Sequence, residues 1–308
     1  MIATCAAPAK INLGLEILGK RADGYHDIRT ILQMIDLCDR VSVRFSDATS
    51  LTCDDPSLSG PDNLAVRAAE LWSEQLDPLH RSLHIDLIKR IPSAAGLGGA
   101  SSDAAAVLML ADTLANRTDG GGTEPFDLAT RFDRLHAVAE QLGSDVPFFL
   151  GTGCSFAHGR GELLEPIEPL KNAVIVLVTP AIDIPRKTAT MYGALDPIRD
   201  FTDGSIIRNS ISRLQAGESL TSSSLSNAFA RPLRALYPEV ERIAEIMGFF
   251  ADGPVGLSGA GPTWFAILGS ASRADSMIDA LTGELPTARI VTARPYAGPV
   301  RVSVDQDA

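Results

Sequence analysis

One short stretch between a predicted strand and a predicted helix decides the fold, and it reads Pro92-Ser93-Ala94-Ala95-Gly96-Leu97-Gly98-Gly99-Ala100-Ser101-Ser102-Asp103. Before it, Leu83, Ile85 and Leu87 alternate with other residues, which is the period of a half-buried strand. After it, residues 102–115 have the composition of a buried helix. Glycines let successive backbone N–H groups point inward, and a helix N-terminus adds partial positive charge. The stretch therefore predicts an anion cradle, most simply for nucleotide phosphates.

Two better-known phosphate loops do not fit these letters. A Walker A loop ends in Gly-Lys-Ser or Gly-Lys-Thr, and no lysine lies near Gly99. A dinucleotide-binding fingerprint requires a third glycine where Ser101 stands, which weakens a reading as an NAD-dependent oxidoreductase. The structural alternative is a tight strand-to-helix turn in which Ser101 or Ser102 only caps the helix.

Composition bounds the class of protein. The chain has 308 residues, enough for two domains, and its 45% hydrophobic and 21% charged residues are typical of a folded globular protein. The formal net charge is −11, and no run of basic residues is longer than two. A nucleic-acid or anionic-membrane partner normally requires a basic patch, so we expect neither. A phosphate ligand must then be held by local geometry.

The same sequence indicates a reducing compartment. The longest aliphatic run, residues 173–178, is far too short to cross a bilayer, and the N-terminus lacks the features of a signal peptide. The four cysteines show no CxxC spacing. We therefore expect a cytoplasmic protein with reduced, structural cysteines and assign no residue as a metal ligand.

Periodicity along the chain predicts two α+β domains, residues 1–167 and residues 168–308. In the first, strands precede a helix from Asn63 to Leu76, which Asp62 or Asn63 would cap. Residues 116–125 are turn-rich and predict an exposed loop between two helices. In the second, apart from central helices, the order is β, α, β, β, α, β, which is that of a split βαβ sandwich.

Three segments together resemble the GHMP kinases, the superfamily of galactokinase, homoserine kinase and mevalonate kinase. They are the phosphate loop, an early segment at residues 8–13 (PAKINL) and a late segment at residues 257–263 (LSGAGPT). Their order and spacing cover almost the whole chain. The resemblance implies an N-terminal domain like the second domain of ribosomal protein S5 and a ferredoxin-like C-terminal domain, with ATP as co-substrate and Mg²⁺.

Residues 19–26 (GKRADGYH) and 143–149 (GSDVPFF) are similar to one branch of that superfamily. This branch phosphorylates the 2-hydroxyl of a cytidine diphosphate-linked methylerythritol in non-mevalonate isoprenoid biosynthesis. The resemblance implies that small molecule as substrate, and we expect a monomer or weak homodimer. The alternatives are a homoserine-type or mevalonate-type kinase, and a nucleotide-binding protein without catalysis.

Phosphoryl transfer from ATP needs an acceptor for the alcohol proton and compensation of developing charge. Asp145 follows a predicted helix end in an apolar loop and suits the first need, although it would also suit a turn cap. Lys10 precedes a strand and suits the second, although a solvated strand-end lysine is the ordinary interpretation. The resemblance implies that Asp145 is the general base and Lys10 its charge partner.

Three further residues are substrate-binding candidates. Asn12 projects to the same face of the strand as Lys10, where it would either contact substrate or merely face solvent. Tyr25 and His26 offer a stacking face and hydrogen-bonding groups, and the resemblance implies that they bind the cytidine end; without it they would be surface residues. The late segment, with Gly259 and Gly261, is either a hairpin turn or a support for the ATP site.

Overall fold

The first half of the chain forms most of one sheet and the three helices that cover it. A computed structural model describes residues 1–118, 128–196 and 201–306. In chain order the elements are β1 (Ile2–Lys20), β2 (His26–Ser46), β3 (Ser50–Cys53), α1 (Leu64–Gln75), β4 (Ser82–Ile88), α2 (Gly99–Thr118), α3 (Leu128–Leu142), β5 (Cys154–Gly159) and β6 (Leu163–Pro166). The predicted Asn63 cap of α1 is confirmed, because its side chain accepts a hydrogen bond from the Ala65 N–H.

The second half forms a smaller sheet with helices between its strands. Its elements are β7 (Val174–Thr179), α4 (Lys187–Leu195), α5 (Ser205–Gln215), α6 (Ala230–Leu236), α7 (Pro238–Phe250), β8 (Val255–Leu257), β9 (Trp264–Leu268), α8 (Ala271–Glu284) and β10 (Arg289–Ala293). A last strand, β11 (Val302–Asp305), pairs with β1 and so belongs to the first sheet.

The two sheets differ in topology. In the first, the described strands run in the order β11-β1-β2-β4-β3, and β5 joins β2 to β6. The second has the order β10-β7-β9-β8 with antiparallel pairing throughout. Its first and last strands are thus neighbours, as the ferredoxin-like expectation requires. The predicted two-domain α+β fold is confirmed.

A shared core holds the domains against each other. One apolar cluster fills the space between the first sheet and α1–α3, and another lies between the second sheet and its helices. A third cluster joins Ile11 and Ile31 of the first sheet to Ile175, Leu177 and Phe265 of the second. Burial of apolar surface at this junction stabilises the cleft in which the functional residues lie.

Some boundaries differ from the predictions. The predicted loop is wrong at 116–118, where α2 continues and the side chains of Asn116 and Thr118 donate to carbonyls one turn earlier. Residues 119–127 lie outside the described residues. The helix α2 also begins at Gly99, inside the glycine-rich stretch. The boundary at 167/168 stays a prediction, with residues 302–305 returning to the first sheet.

The bonding of the cysteines and the length and hydrophobicity of the helices bear on the compartment predicted from the sequence. All four cysteines are unbonded, and burial raises the pKa of the Cys5 thiol to about 12, so it is not a reactive thiolate. Across the described ranges, no helix is long and apolar enough to span a membrane.

Candidate active site

The glycine-rich stretch, called here the phosphate loop (92–102), follows β4 and runs into the first turn of α2 at the mouth of a cleft. Backbone bonds fix it: the Lys10 N–H donates to the Leu97 carbonyl at 2.8 Å, and the Thr263 N–H donates to the Ala95 carbonyl at 3.3 Å. The Ser258 hydroxyl donates to the Gly96 carbonyl at 2.9 Å. Both domains therefore hold the loop through its carbonyl groups. The Ser102 N–H donates to the Gly98 carbonyl at 2.9 Å, and N–H groups at the start of the helix that follows can bind an anion.

Two glycines of the loop are required by close approach. Gly96 has a φ of +84°, and a Cβ there would lie 2.3 Å from the Ser258 carbonyl oxygen. Gly98 has a φ of +73°, and a Cβ there would lie 2.9 Å from Cγ of Lys10. The glycines thus let the phosphate loop pack directly on β1 and on the loop of the second domain.

Lys10 and Asp145 meet beside the phosphate loop. The Lys10 Nζ lies 3.6 Å from Oδ2 of Asp145, although 135 positions separate them in sequence. Lys10 is only 4% exposed, whereas the Asp145 side chain is 40% exposed and faces the cleft. A buried cation next to a reachable carboxylate is the arrangement that a hydroxyl proton transfer needs.

A chain of hydrogen bonds orients the Lys10 ammonium. Lys10 Nζ donates to Oδ1 of Asn12 at 2.7 Å, and the Asn12 amide donates to the Thr30 hydroxyl at 2.9 Å. The Thr30 hydroxyl in turn donates to the Gly14 carbonyl at 2.6 Å. Asn12 and Thr30 are buried, so Asn12 fixes the position of Lys10 within the cleft.

Gly259, in the late segment (257–263), packs closely against Lys10 and the phosphate loop. It has a φ of +56°, and a Cβ there would lie 3.3 Å from Nζ of Lys10 and 3.3 Å from the Gly96 carbonyl oxygen. The loop that contains Gly259 therefore packs against both the ammonium and the phosphate loop, and its positive φ together with these tight approaches favours glycine there.

The cleft is a cavity of about 1180 Å³ that extends from the phosphate loop to an aromatic cluster. The ring of His26 stacks on that of Tyr192, with centroids 4.7 Å apart. His26 Nε2 also lies 2.8 Å from Oδ1 of Asp196, and Lys20 Nζ donates to the other oxygen of that carboxylate. Tyr25 lines the same cavity and is 56% exposed.

The structure thus gathers most of the predicted site residues. Lys10, Asn12, Tyr25, His26 and Asp145 line the one cavity, together with nine phosphate-loop residues: Pro92, Ser93, Ala94, Ala95, Gly96, Gly98, Gly99, Ala100 and Ser101. The other two residues of the phosphate loop are turned inward, because Leu97 and Ser102 are each 1% exposed.

Three polar residues from α4 and its end, Tyr192, Asp196 and Lys187, line the cavity but were not among the predicted site residues. Burial raises the pKa of the Tyr192 hydroxyl to about 12, which keeps that group neutral. The only signal in the sequence was the proximity of Tyr192 to the end of β7, which does not specify a contact with β2.

A buried charge cluster lies under the phosphate loop. Lys89 Nζ donates to Asp39 and, at 2.6 Å, to Oδ2 of Asp103. Asp39 also accepts from the Ile91 N–H at 2.8 Å, which fixes the chain as it enters the loop. Burial raises the pKa of Asp103 to about 7 against the opposing effect of Lys89.

Comparison with protein families gives the class. Residues 63–153 match the family model described as GHMP kinases N terminal domain, and residues 206–287 match GHMP kinases C terminal. The two matches span more than half of the chain and fall one on each side of the cleft. A two-domain fold with this phosphate loop is the architecture of that class.

Individual relatives narrow the class to one branch. A 4-diphosphocytidyl-2-C-methyl-D-erythritol kinase of Dehalococcoides mccartyi (strain BAV1) is 37% identical over 277 residues, which are 89% of this chain and 92% of that protein. The enzyme of the same description from Geobacter metallireducens is 35% identical over 284 residues, 91% of this chain and 94% of that protein. The chain belongs to the family of 4-diphosphocytidyl-2-C-methyl-D-erythritol kinases within the GHMP kinases.

Solved structures agree at the level of fold. A crystal structure of 4-(cytidine 5'-diphospho)-2C-methyl-D-erythritol kinase, 33% identical, superposes with a TM-score of 0.72 over 94% of this chain and 98% of that one. A homoserine kinase from Cytophaga hutchinsonii reaches 0.70 at 16% identity, over 98% of this chain and 97% of that one. The fold is therefore common to kinases of different substrates, and the substrate must be argued from the site.

Proposed function

We propose that the chain transfers the terminal phosphoryl group of ATP to the 2-hydroxyl of 4-diphosphocytidyl-2-C-methyl-D-erythritol. The observation that carries this proposal is the placement of the Lys10–Asp145 pair between the phosphate loop and the aromatic cluster of one cavity. A nucleotide at the first end and a cytosine at the second would bring the acceptor hydroxyl to the pair.

In this proposal Asp145 is the general base. Its carboxylate accepts the proton as the substrate oxygen attacks the phosphorus, and the bond to the leaving ADP oxygen breaks. Lys10 stabilises the negative charge that develops on the reacting oxygens. The 3.6 Å separation and the burial of Lys10 support these roles, because electrostatic effects are stronger where water is excluded.

The phosphates of ATP would be held by the backbone of the phosphate loop and by the first turn of α2. The N–H groups of that turn have no partner within the helix, and the positive end of its dipole favours a negative ligand. This explains how a chain with a net charge of −11 binds a polyanion without a basic patch.

Mg²⁺ would arrive with ATP. Among the described residues there is no group of three or more acidic, histidine or cysteine side chains that could form a metal cage. Mg²⁺ bound to nucleotide phosphates needs few protein ligands, and Oδ1 of Asp103 is a buried carboxylate oxygen with no partner in the described part of the chain. Asp103 would therefore hold the ion, which supplies charge compensation at the phosphates.

The cytidine end would bind at His26, Tyr25 and Tyr192. His26 offers its second ring nitrogen for the base, because Nε2 lies against Asp196, and Tyr25 offers an exposed ring for stacking. Tyr192 supports the His26 ring by stacking on it. The Asp196 carboxylate beside His26 supports its orientation at 2.8 Å. Asn12 lines the same cavity and acts on the acceptor site by orienting the Lys10 ammonium at 2.7 Å.

Replacing His26 by Ala is expected to raise the KM for the cytidyl substrate about tenfold, because one hydrogen bond and one stacking contact are lost. The KM for ATP should stay within about twofold, since His26 lies at the other end of the cavity. Steady-state kinetics with each substrate varied in turn measures both. His136→Ala, which changes a histidine of α3, is the matched control. An unchanged KM for the cytidyl substrate in His26→Ala would mean that His26 does not bind the cytidine end.

The substrate assignment is tested by ATP consumption against a panel of alcohols. We expect turnover with 4-diphosphocytidyl-2-C-methyl-D-erythritol and none above background with homoserine, mevalonate or galactose. Turnover of homoserine or mevalonate alone would contradict the assignment, and no turnover with any of them would favour a nucleotide-binding protein without catalysis.

The net charge and the cysteines bear on the partners and the compartment of the enzyme. The acidic net charge supports a role without nucleic acid, and the reduced cysteines are in keeping with the cytoplasm. We propose a cytoplasmic enzyme that acts as a monomer or weak homodimer.

A further inference from the structure

Lys187 occupies an unusual position at the first residue of α4. Its Nζ donates to the Ala94 carbonyl at 2.7 Å and to the Gly261 carbonyl at 2.6 Å. Ala94 belongs to the phosphate loop of the first domain, and Gly261 belongs to the loop after β8 in the second. One side chain therefore joins the two loops that enclose the phosphate site.

Three local features at this point are unfavourable for folding. Arg186, just before α4, adopts left-handed backbone (φ 45°, ψ 44°), which is uncommon for a residue with a side chain. A cation at a helix N-terminus opposes the helix dipole, and Lys187 and Arg186 are both there. The Lys187 side chain is also half-buried. Local strain of this kind is concentrated at functional sites.

An ammonium group has three N–H donors, and the two carbonyls use only two of them. Lys187 lines the cavity that holds Lys10, Asp145 and the phosphate loop. In the described part of the chain, no further partner of its Nζ is seen. The third donor is thus available to a ligand in the cavity.

We propose that Lys187 is a second cation of the phosphoryl-transfer site, which joins the two loops and donates its third N–H to a phosphate oxygen of bound ATP. This inference rests on the proposed function, because it takes ATP as the ligand of the phosphate loop. It adds a positive charge to a site in which the buried Lys10 is otherwise committed to Asn12 and Asp145.

Burial and the charged groups around Lys187 make its protonation, and hence the affinity for ATP, depend on pH. Burial, with a smaller contribution from Lys10, lowers the pKa of Lys187 to about 8, and Asp145 acts in the opposite direction. The other ionisable residues of its own segment, 181–192, are Asp183, Arg186 and Tyr192, while residues 258–263 contain none. Free enzyme should therefore lose the Lys187 charge, and with it affinity for ATP, as the pH rises through about 8.

The first measurement is the affinity for a non-hydrolysable ATP analogue with Mg²⁺, by titration calorimetry without any acceptor alcohol. Lys187→Gln keeps donors for the carbonyls but removes the charge, and it is expected to bind the analogue about tenfold or more weakly at pH 7. Lys171→Gln, which changes an exposed lysine on the loop before β7, is the matched control and should bind as the unchanged chain does. Binding of Lys187→Gln within twofold of the unchanged chain would overturn the proposal.

The second measurement is the pH dependence of that affinity between pH 7 and 9.5. The unchanged chain should bind about tenfold more weakly at the upper end, whereas Lys187→Arg should not, because a guanidinium stays charged there. A profile that is flat in the unchanged chain, or equally steep in Lys187→Arg, would overturn the proposal even if Lys187→Gln failed to fold. A purely structural lysine would not move this readout.

These binding measurements use no acceptor substrate. If none of the alcohols in the panel were phosphorylated, the analogue-binding result for Lys187 would still hold. If Lys187→Gln bound the analogue as the unchanged chain does, the substrate assignment would still stand.

Discussion

Asp145→Asn is expected to lower kcat by about 10²- to 10⁴-fold, the range that a positioned general base contributes. The amide cannot take the proton of the attacking hydroxyl, although its size and its place beside Lys10 are kept. Affinity for ATP should change little, because the phosphate loop holds the nucleotide separately. Single-turnover phosphoryl transfer and analogue binding, measured on the same preparation, separate the two quantities.

The control for Asp145→Asn is the same substitution at a carboxylate that lies outside the cleft. Asp47→Asn, in the exposed turn after β2, makes the same chemical change far from the cavity and should leave kcat unaltered. If Asp145→Asn turned over nearly as fast as the unchanged enzyme, Asp145 would not be the base, and the Lys10–Asp145 pair would be only a structural ion pair.

Gly96→Ala is expected to lower kcat/KM for ATP by about 10²-fold and the free energy of unfolding by about 2 kcal/mol or more. The new Cβ would lie 2.3 Å from the Ser258 carbonyl oxygen and 2.8 Å from that of Gly261. Both obstacles are backbone, so the phosphate loop or its neighbour must move. Thermal unfolding and ATP kinetics measure the two effects.

A second glycine provides the control. Gly283 lies in α8, and a Cβ there would meet nothing within 4 Å, so Gly283→Ala should stabilise the chain slightly and leave ATP kinetics unchanged. Normal kcat/KM for ATP in Gly96→Ala would mean that contact between the phosphate loop and the second domain is not needed for ATP use.

The sequence predicted what depends on local pattern. The Asn63 cap, the alternation in β4 and the glycine-rich loop each follow from residues within a dozen positions, and the structure has all three. The helix α2 was placed too late because a glycine at its first position gives no local sign of helix. There, packing of the following apolar residues against the sheet decides the start.

Contacts between distant positions could not be predicted in this way. The stacking of His26 on Tyr192 joins residues 166 positions apart, and Lys187 meets Ala94 across the domain junction. Lys10 and Asp145 were brought together by the family resemblance and not by periodicity. Pairing of side chains across a cleft depends on the path of the whole chain, which local patterns do not contain.

The return of β11 to the first sheet has a consequence for how the chain can be divided. Residues 302–305 pair with residues 2–5 of β1 and cover what would otherwise be the outer edge of that sheet. A fragment that stopped near residue 167 would leave this edge bare, with unpaired N–H and C=O groups that invite pairing with other copies. The last strand thus protects the edge of the first sheet, so a division of the chain near residue 167 would separate two paired strands.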